Sequence, residues 1–438
     1  MDKVQIGMVL LTIMVFFLAS GVWVAISLAI AGLAGMIFFT NSPAAGSLFS
    51  ALWNAAASWE LAALPLFIWM GEILFRTKLS DEMFEGLSPW LNWLPGRLMH
   101  VSVLGCGIFG SVSGSSAATC ATIAKVALPE LKRRGYNQDI CLGTLAGAGT
   151  LGILIPPSIM MVVYAVSADV SIIKIFLAGF LPGMLVMVLI SSYIAYWALM
   201  NKDQQPPPEP SMPFREKLYH SRKLIPTMLL IVFVIWVLVT GYATATEAAA
   251  YGVMGSFAIA WWSKALTWTN FKESLVNSTR LSCMIIFILG GAAFLTKAMA
   301  FTGVPRGLAE WVGSLNLAPW TLIAVLTVVY IVMGTALDGI SMIVLTAAII
   351  IPIVQHAGID LIWFGIFIVM LVEIAEVTPP VGFNLFVLQT MTGKDSMHVA
   401  RAALPFFGML VLAIAIIAVF PKIVTWLPDA YEQAMQQR

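Results

Sequence analysis

The chain has 438 residues, 60% of them hydrophobic and only 10% charged. Soluble globular chains are about half apolar and carry roughly 25% charged residues, so this composition excludes a soluble enzyme, a disordered chain and a secreted disulfide scaffold. A net charge of +1 offers no field to recruit nucleic acid or a charged partner. The solvent that suits such a sequence is lipid.

From Val4 to Trp59 there is no charge. That stretch is far longer than the core of a signal peptide. At about 20 residues per crossing it predicts two spans with a turn near Gly21. A third span is expected from Leu52 to Phe75, with Glu60 inside it, and Glu72 and Arg76 are spaced to pair. Acids alternate with apolar residues from Asp81 to Trp93, which predicts an amphipathic helix along the membrane. Residues 98–131 are predicted to enter and return as a hairpin, interrupted at Gly110–Ser116. Residues 138–168 follow as a broken helix. The charge-free run Ile140–Ala168 would extend ~43 Å as one helix, but it holds Gly147, Gly149 and Gly152 and then Pro156-Pro157. One more crossing ends the first half, 1–200. A polar, proline-rich linker covers 201–223. The second half, 224–438, repeats the plan, with a hairpin at 319–355 interrupted by Gly334–Gly339 and a broken helix at 360–392.

Gly135, Pro156, Pro157 and Pro182 recur as Gly358, Pro379, Pro380 and Pro405, all displaced by 223 residues, and Pro129 and Pro352 keep the same spacing. A helix-interior proline costs about 3 kcal/mol, so breakpoints repeated at one spacing point to an internal duplication. Paired interrupted segments in the two halves of a membrane protein mark a transporter site. Five crossings beside each hairpin make ten in all, and an odd number per half turns one copy over relative to the other. The expected fold is therefore an all-α polytopic membrane protein of two inverted repeats, each with a re-entrant helical hairpin and a broken transmembrane helix. Placing Lys132, Arg133 and Arg134 inside puts 16 Lys/Arg at cytoplasmic ends and six outside, which by the positive-inside rule sets both termini on the outer face.

Cys106, Cys120, Cys141 and Cys283 form no C-x-x-C pair, and the four histidines have no ligand spacing, so no structural or catalytic metal is expected. The chemistry lies in the breaks. In the first hairpin, small residues let backbones approach while hydroxyls and freed carbonyls supply oxygen ligands; a plain small-residue helix contact is the alternative. In the broken helix, unwound carbonyls and half-helix C-termini suit Na⁺ and half-helix N-termini suit a carboxylate; a simple proline kink is the alternative. The second half adds Asp338 at the hairpin turn, with Glu373 and Glu376 ahead of Thr378-Pro379-Pro380. A carboxylate at the bilayer centre costs about 2.5–3.5 kcal/mol on insertion scales. These acids therefore need a cation or a proton, unless they cap helix ends or pair with Arg or Lys. Asn384 and Gln389 either line the same cavity or bridge helices.

The runs GSVSGSSAAT (110–119), ALPELKRRGYN (127–137), LAGAGTLGILIPPS (145–158), MGTALDGISMIVLT (333–346) and EIAEVTPPVGFNLFVL (373–388) strongly resemble the large membrane subunit of tripartite ATP-independent periplasmic (TRAP) transporters, and the likeness covers essentially the whole chain. The resemblance implies an elevator-type, Na⁺-driven carrier of organic acids in the bacterial inner membrane. It would work with a small four-helix membrane subunit (Q-type) and a periplasmic substrate-binding protein (P-type). It implies at least two Na⁺ sites, at the hairpin tips against the broken helices. On this chain they involve Ser111, Ser113, Gly149, Gly152 and Pro156 in the first half, and Gly334, Thr335, Asp338, Glu376 and Thr378 in the second. A carboxylate substrate would meet Ser113, Ser115, Ser116, Thr119, Pro157, Asp338 and Asn384. Lys125 and Arg401 are candidates for its counter-charge. A stand-alone anion carrier needing no binding protein is the rival reading, and a channel or passive assembly subunit a further one. An intramembrane protease is set aside, because no histidine is placed to activate Ser113 and no second aspartate joins Asp338.

Overall fold

The computed structural model describes residues 3–77, 79–206, 212–314, 319–334, 337–379 and 382–437, and every regular element among them is a helix. The first half holds α1 (Lys3–Ala19), α2 (Val24–Phe39), α3 (Ala44–Ala56), α4 (Ala63–Phe75) and α5 (Leu79–Leu91), then α6 (Leu98–Ser113) and α7 (Ser116–Arg133), α8 (Gln138–Gly149) and α9 (Ile159–Ser167), and α10 (Ile172–Met200). After α11 (Phe214–Ser221) the second half holds α12 (Ile225–Val239), α13 (Ala245–Trp262), α14 (Trp268–Thr302), α15 (Val304–Ser314), α16 (Pro319–Gly334), α17 (Gly339–His356), α18 (Leu361–Glu376), α19 (Phe383–Thr392), α20 (Ser396–Val419) and α21 (Lys422–Gln436).

The duplication read from glycines and prolines extends to the helix starts. Ser115 caps α7 and Asp338 caps α17; Asn137 caps α8 and Asp360 caps α18. Both pairs are 223 residues apart. In each case a side-chain oxygen takes an orphan backbone N–H of the first turn, the usual chemistry of a helix N-terminus. Large apolar side chains such as Trp23, Phe38, Trp236 and Trp262 face outward, as a chain solvated by lipid requires.

The turn expected near Gly21 joins α1 to α2, and Gly21 adopts φ +78°, which only glycine reaches freely. The amphipathic segment is α5, and Arg76 Nη1 pairs with Glu72 Oε2 at 2.5 Å. The single span expected over Leu52–Phe75 is instead two helices, α3 and α4, parted by Ala57–Trp59 and a 3₁₀ turn at Glu60–Ala62. The cause is tertiary: α3 packs on α14 and α4 on α13 and α14, so the chain changes direction between partners. The linker is also less irregular than expected, because Phe214–Ser221 forms α11 against α5; residues 207–211 of it lie outside the described residues. By length and apolarity α10, α14, α17 and α20 could each cross a bilayer unaided, and α11 with α12, bent by 66°, would make a fifth if taken as one span. The count falls short of ten because breaks divide the other segments into helices of 10–17 residues.

Two layers result. α14 runs along α2, α3 and α4, and α13 packs on α4, forming a frame. Within the central body the contacts come in matched pairs: α6 on α8 and α16 on α18, α7 on α19 and α17 on α9, α8 on α20 and α18 on α10. Tyr164, Phe364, Phe367 and Phe406 are fully enclosed there.

The tightest approach in this body is backbone on backbone. A Cβ added to Gly110 would lie 2.5 Å from Gly152 Cα, and one added to Gly152 would lie 2.5 Å from Thr119 Oγ1. Overpacking of this kind costs about 1–3 kcal/mol. Gly152→Ala is therefore expected to lower the thermal midpoint of the purified protein in detergent by several degrees. Gly408→Ala, inside α20 with open space around it, should leave the midpoint unchanged or raise it. Equal midpoints for the two variants would refute the close packing.

Candidate functional site

The first hairpin reverses in two residues. Gly114, at φ +60°, ends α6 and returns its N–H to Gly110 O at 2.9 Å. The Ser115 side chain then accepts from Ala118 N at 3.4 Å. Ser113 Oγ and Thr119 Oγ1 share a hydrogen bond of 2.6 Å across the turn, and Ser115 N donates to Ser113 Oγ at 3.3 Å. In the second hairpin Asp338 takes the role of Ser115: its carboxylate accepts from Ser341 N at 3.2 Å and from Ser341 Oγ at 2.5 Å. Thr335 lies outside the described residues.

Each broken helix is interrupted where a hairpin meets it. α8 stops at Gly149, a 3₁₀ turn covers Thr150–Ile153, and the chain is non-helical to Ser158, where α9 is about to begin. Ser158 Oγ donates to Ile153 O at 2.5 Å. α18 stops at Glu376, and Thr378 Oγ1 donates back to Ile374 O at 2.6 Å; Pro380 and Val381 lie outside the described residues. The Gly110–Gly152 approach has a counterpart here, because a Cβ on Gly334 would lie 2.0 Å from Ala375 Cβ. Gly149 is similarly closed in, by Cys120 and by Asn384 Nδ2.

A polar bridge joins the two halves. Ser116 Oγ donates to Asn384 Oδ1 at 3.0 Å, and Asn384 Nδ2 donates to Ala146 O at 3.1 Å, all of it buried. Asn384 thus supports the first broken helix from the second. The acids lie alongside. Glu373 is fully buried beside the Thr150 hydroxyl, but Thr150 gives its proton to Gly147 O at 2.8 Å. Both Glu373 oxygens are therefore enclosed without a hydrogen-bond partner. Glu376 lies beside Ser116 and within electrostatic reach of Asp338, and its Oε2 is likewise enclosed and unpartnered. The buried acids pair with neither Arg nor Lys.

The expected residues divide accordingly. Ser113, Ser115, Ser116, Thr119, Gly149, Gly152, Asn384 and Glu376 converge on the first hairpin tip. Gly334 lies against the second broken helix, and Asp338 caps the second hairpin within reach of Glu376. Ser111 is buried and donates to Ile108 O at 2.8 Å, so its hydroxyl is occupied within α6. Pro156 lines a separate apolar cavity of about 220 Å³ with Phe176, Leu238 and Leu427, and Pro157 is buried. Lys125 and Arg401 are both exposed and take no part in the bridge. Sequence reading missed Thr150, Ala146 and Gly71. A Cβ on Gly71 of α4 would lie 2.5 Å from Val112 O, so the frame touches the tip backbone directly. Thr150 had a signal, for it stands 223 residues before Glu373.

Asn384→Ala leaves Ser116 Oγ and Ala146 O unpartnered in a buried setting and should cost about 1–3 kcal/mol, whereas Ser116→Ala should cost about 1 kcal/mol. The two losses share one bridge, so the double variant should be little worse than Asn384→Ala alone in thermal unfolding. Additive losses would show that the bridge does not act as a unit.

The family model described as "Tripartite ATP-independent periplasmic transporter, DctM component" matches residues 11–423. The C4-dicarboxylate TRAP transporter large permease protein DctM of Pseudomonas aeruginosa is 32% identical over 404 residues, covering 92% of this chain and 94% of that protein. The isethionate TRAP transporter permease protein DctMQ of Oleidesulfovibrio alaskensis is 29% identical over 419 residues, covering 93% of this chain and 64% of that protein. In fold, the chain resembles the Alcanivorax borkumensis YdaH transporter, with a TM-score of 0.62 at 12% identity over 88% of this chain and 89% of that one. The likeness to large permeases runs through the hairpin tips and both broken helices, and the chain belongs to the DctM family of tripartite ATP-independent periplasmic transporters, as a multi-pass membrane protein of substrate uptake.

Proposed function

We propose that this protein carries an organic acid across the bacterial inner membrane, driven by Na⁺, by moving its central body against its frame. The single observation that carries the reading is the polar bridge from Ser116 through Asn384 to Ala146, which binds one hairpin and both broken helices into one unit. The matched contacts support inverted repeats. Thr150 and Glu373 are equivalent positions and lie side by side. Ser116 against Asn384 is answered by Gly339 against Met160, within one residue of the equivalent pair. A position that meets its own equivalent, with contacts that reciprocate, is the signature of a two-fold relation. Five crossings per half place that axis in the membrane plane.

In this reading Na⁺ is held by hydroxyls and freed carbonyls at the tips, with Asp338 and Glu376 supplying negative charge in the second half. An enclosed, unpartnered carboxylate is costly in lipid, and a cation beside it offsets both its own burial and the charge of an arriving carboxylate. The substrate lies between the tips, near Ser113, Thr119 and Asn384, facing the half-helix N-termini. The body holding both hairpins and both broken helices then slides past the frame formed by α2–α4, α13 and α14. A small membrane subunit would extend that frame, and a periplasmic binding protein would deliver the substrate. The names of the Pseudomonas and Oleidesulfovibrio relatives favour an organic acid of the carboxylate or sulfonate class.

The test is uptake into proteoliposomes holding the complete assembly, with and without an inward Na⁺ gradient and with and without the binding protein. Uptake is expected to need both; uptake without the binding protein would favour a stand-alone carrier, and uptake indifferent to Na⁺ would remove the coupling. Asp338→Asn separates two roles of that residue, because asparagine caps a helix as well as aspartate does but carries no charge. Loss of uptake at normal thermal stability is expected, as for Ser113→Ala, and wild-type uptake in both variants would overturn the site.

A further inference from the structure

A second site lies farther along the first hairpin. α7, the start of α8 and the end of α19 enclose a cavity of about 530 Å³, within the range of small-ligand pockets. Lys125, Lys132 and Lys394 line it together with Tyr136, Gln138 and Thr392, and no carboxylate is among its lining residues. Neighbouring acids are already engaged. Glu130 Oε1 pairs with Arg133 at 2.7 Å and Arg134 at 2.6 Å, and Asp139 Oδ1 pairs with Lys394 at 3.2 Å and His398 at 2.8 Å. Among the described residues, Lys125 and Lys132 pair with no acid. Two uncompensated ammonium groups, with a third half-compensated, thus converge on one concave space. The phenol of Tyr136 accepts from Leu98 N at 3.3 Å and keeps its own proton free to donate.

The duplicated plan does not demand these charges. At the equivalent positions of the other half stand Ala348, Gln355 and Ser171, where this half has Lys125, Lys132 and Lys394. The architecture is repeated and the cationic lining is not. We propose that this cavity is an anion-binding site for an oxyacid group, carboxylate or phosphate, arriving either on a small soluble anion or on a lipid headgroup. Lys125 stands nine residues beyond Ser116 on α7, roughly 13 Å along the helix, so the site is distinct from the tip and its occupancy needs neither Na⁺ nor transport.

The test uses the full chain with Thr392→Cys as reporter, labelled by a neutral maleimide in Na⁺-free detergent solution and read by peptide mass spectrometry. Millimolar succinate or inorganic phosphate should slow labelling several-fold relative to potassium chloride of equal ionic strength, and Lys125→Gln with Lys132→Gln should abolish the effect. Both lysines are exposed, so these substitutions should not compromise folding; thermal unfolding in parallel verifies it. Nanodiscs of phosphatidylglycerol and of phosphatidylcholine identify the source: protection by soluble anions assigns a free ligand, and protection by phosphatidylglycerol alone assigns a headgroup. No protection by any probe, or protection that survives the double substitution, overturns the site. Because no Na⁺ gradient enters the measurement, its failure would leave the transport reading standing, and the converse holds too.

Discussion

The approach of Gly110 to Gly152 is the constraint on which the central body depends. A hairpin inside a membrane exposes backbone groups at its turn, and a broken helix exposes them at its gap. Lipid can satisfy neither. Setting the turn directly against the gap solves both problems, provided that no side chain intervenes. Glycine is therefore required on both faces, and the hydroxyls of Ser113, Ser115 and Thr119 can reach the backbone groups left at the turn. The second half repeats the solution with Gly334 against Ala375, one methyl larger, and with a carboxylate at the cap in place of a hydroxyl.

That exchange of Ser115 for Asp338 shows how duplication supplies chemistry. Equivalent positions keep the geometry, since both side chains cap a helix, while the charge differs. The same holds for Thr150 and Glu373. Two halves of common plan but different polarity create an electrostatically uneven centre, with the acids concentrated on one side and the hydroxyls on the other. Asn384 belongs to the second half and its hydrogen bonds run to the first, so neither half completes the centre alone. A rigid unit of this kind can move as one body against α13 and α14, which touch it through apolar faces and small residues such as Gly71.

The cationic cavity follows the opposite pattern. Its walls come from repeated elements, but its lysines have no counterparts in the other half. Features shared by both halves build the fold, and features found in one half distinguish the two sides of the membrane.

The sequence by itself determined the class, the duplication and the positions of the breaks, because composition, a fixed 223-residue displacement and the residue types proline and glycine act locally and leave their mark without any partner. It also located the tip hydroxyls, Asp338 and Glu376. Only the tertiary structure decided that α3 and α4 are separate helices, since their parting is set by contact with α13 and α14. The partner of Asn384, the apolar surroundings of Pro156 and the enclosure of Glu373 were likewise decided there. Each depends on which residues more than two hundred positions away come within hydrogen-bonding distance, and no local pattern records that.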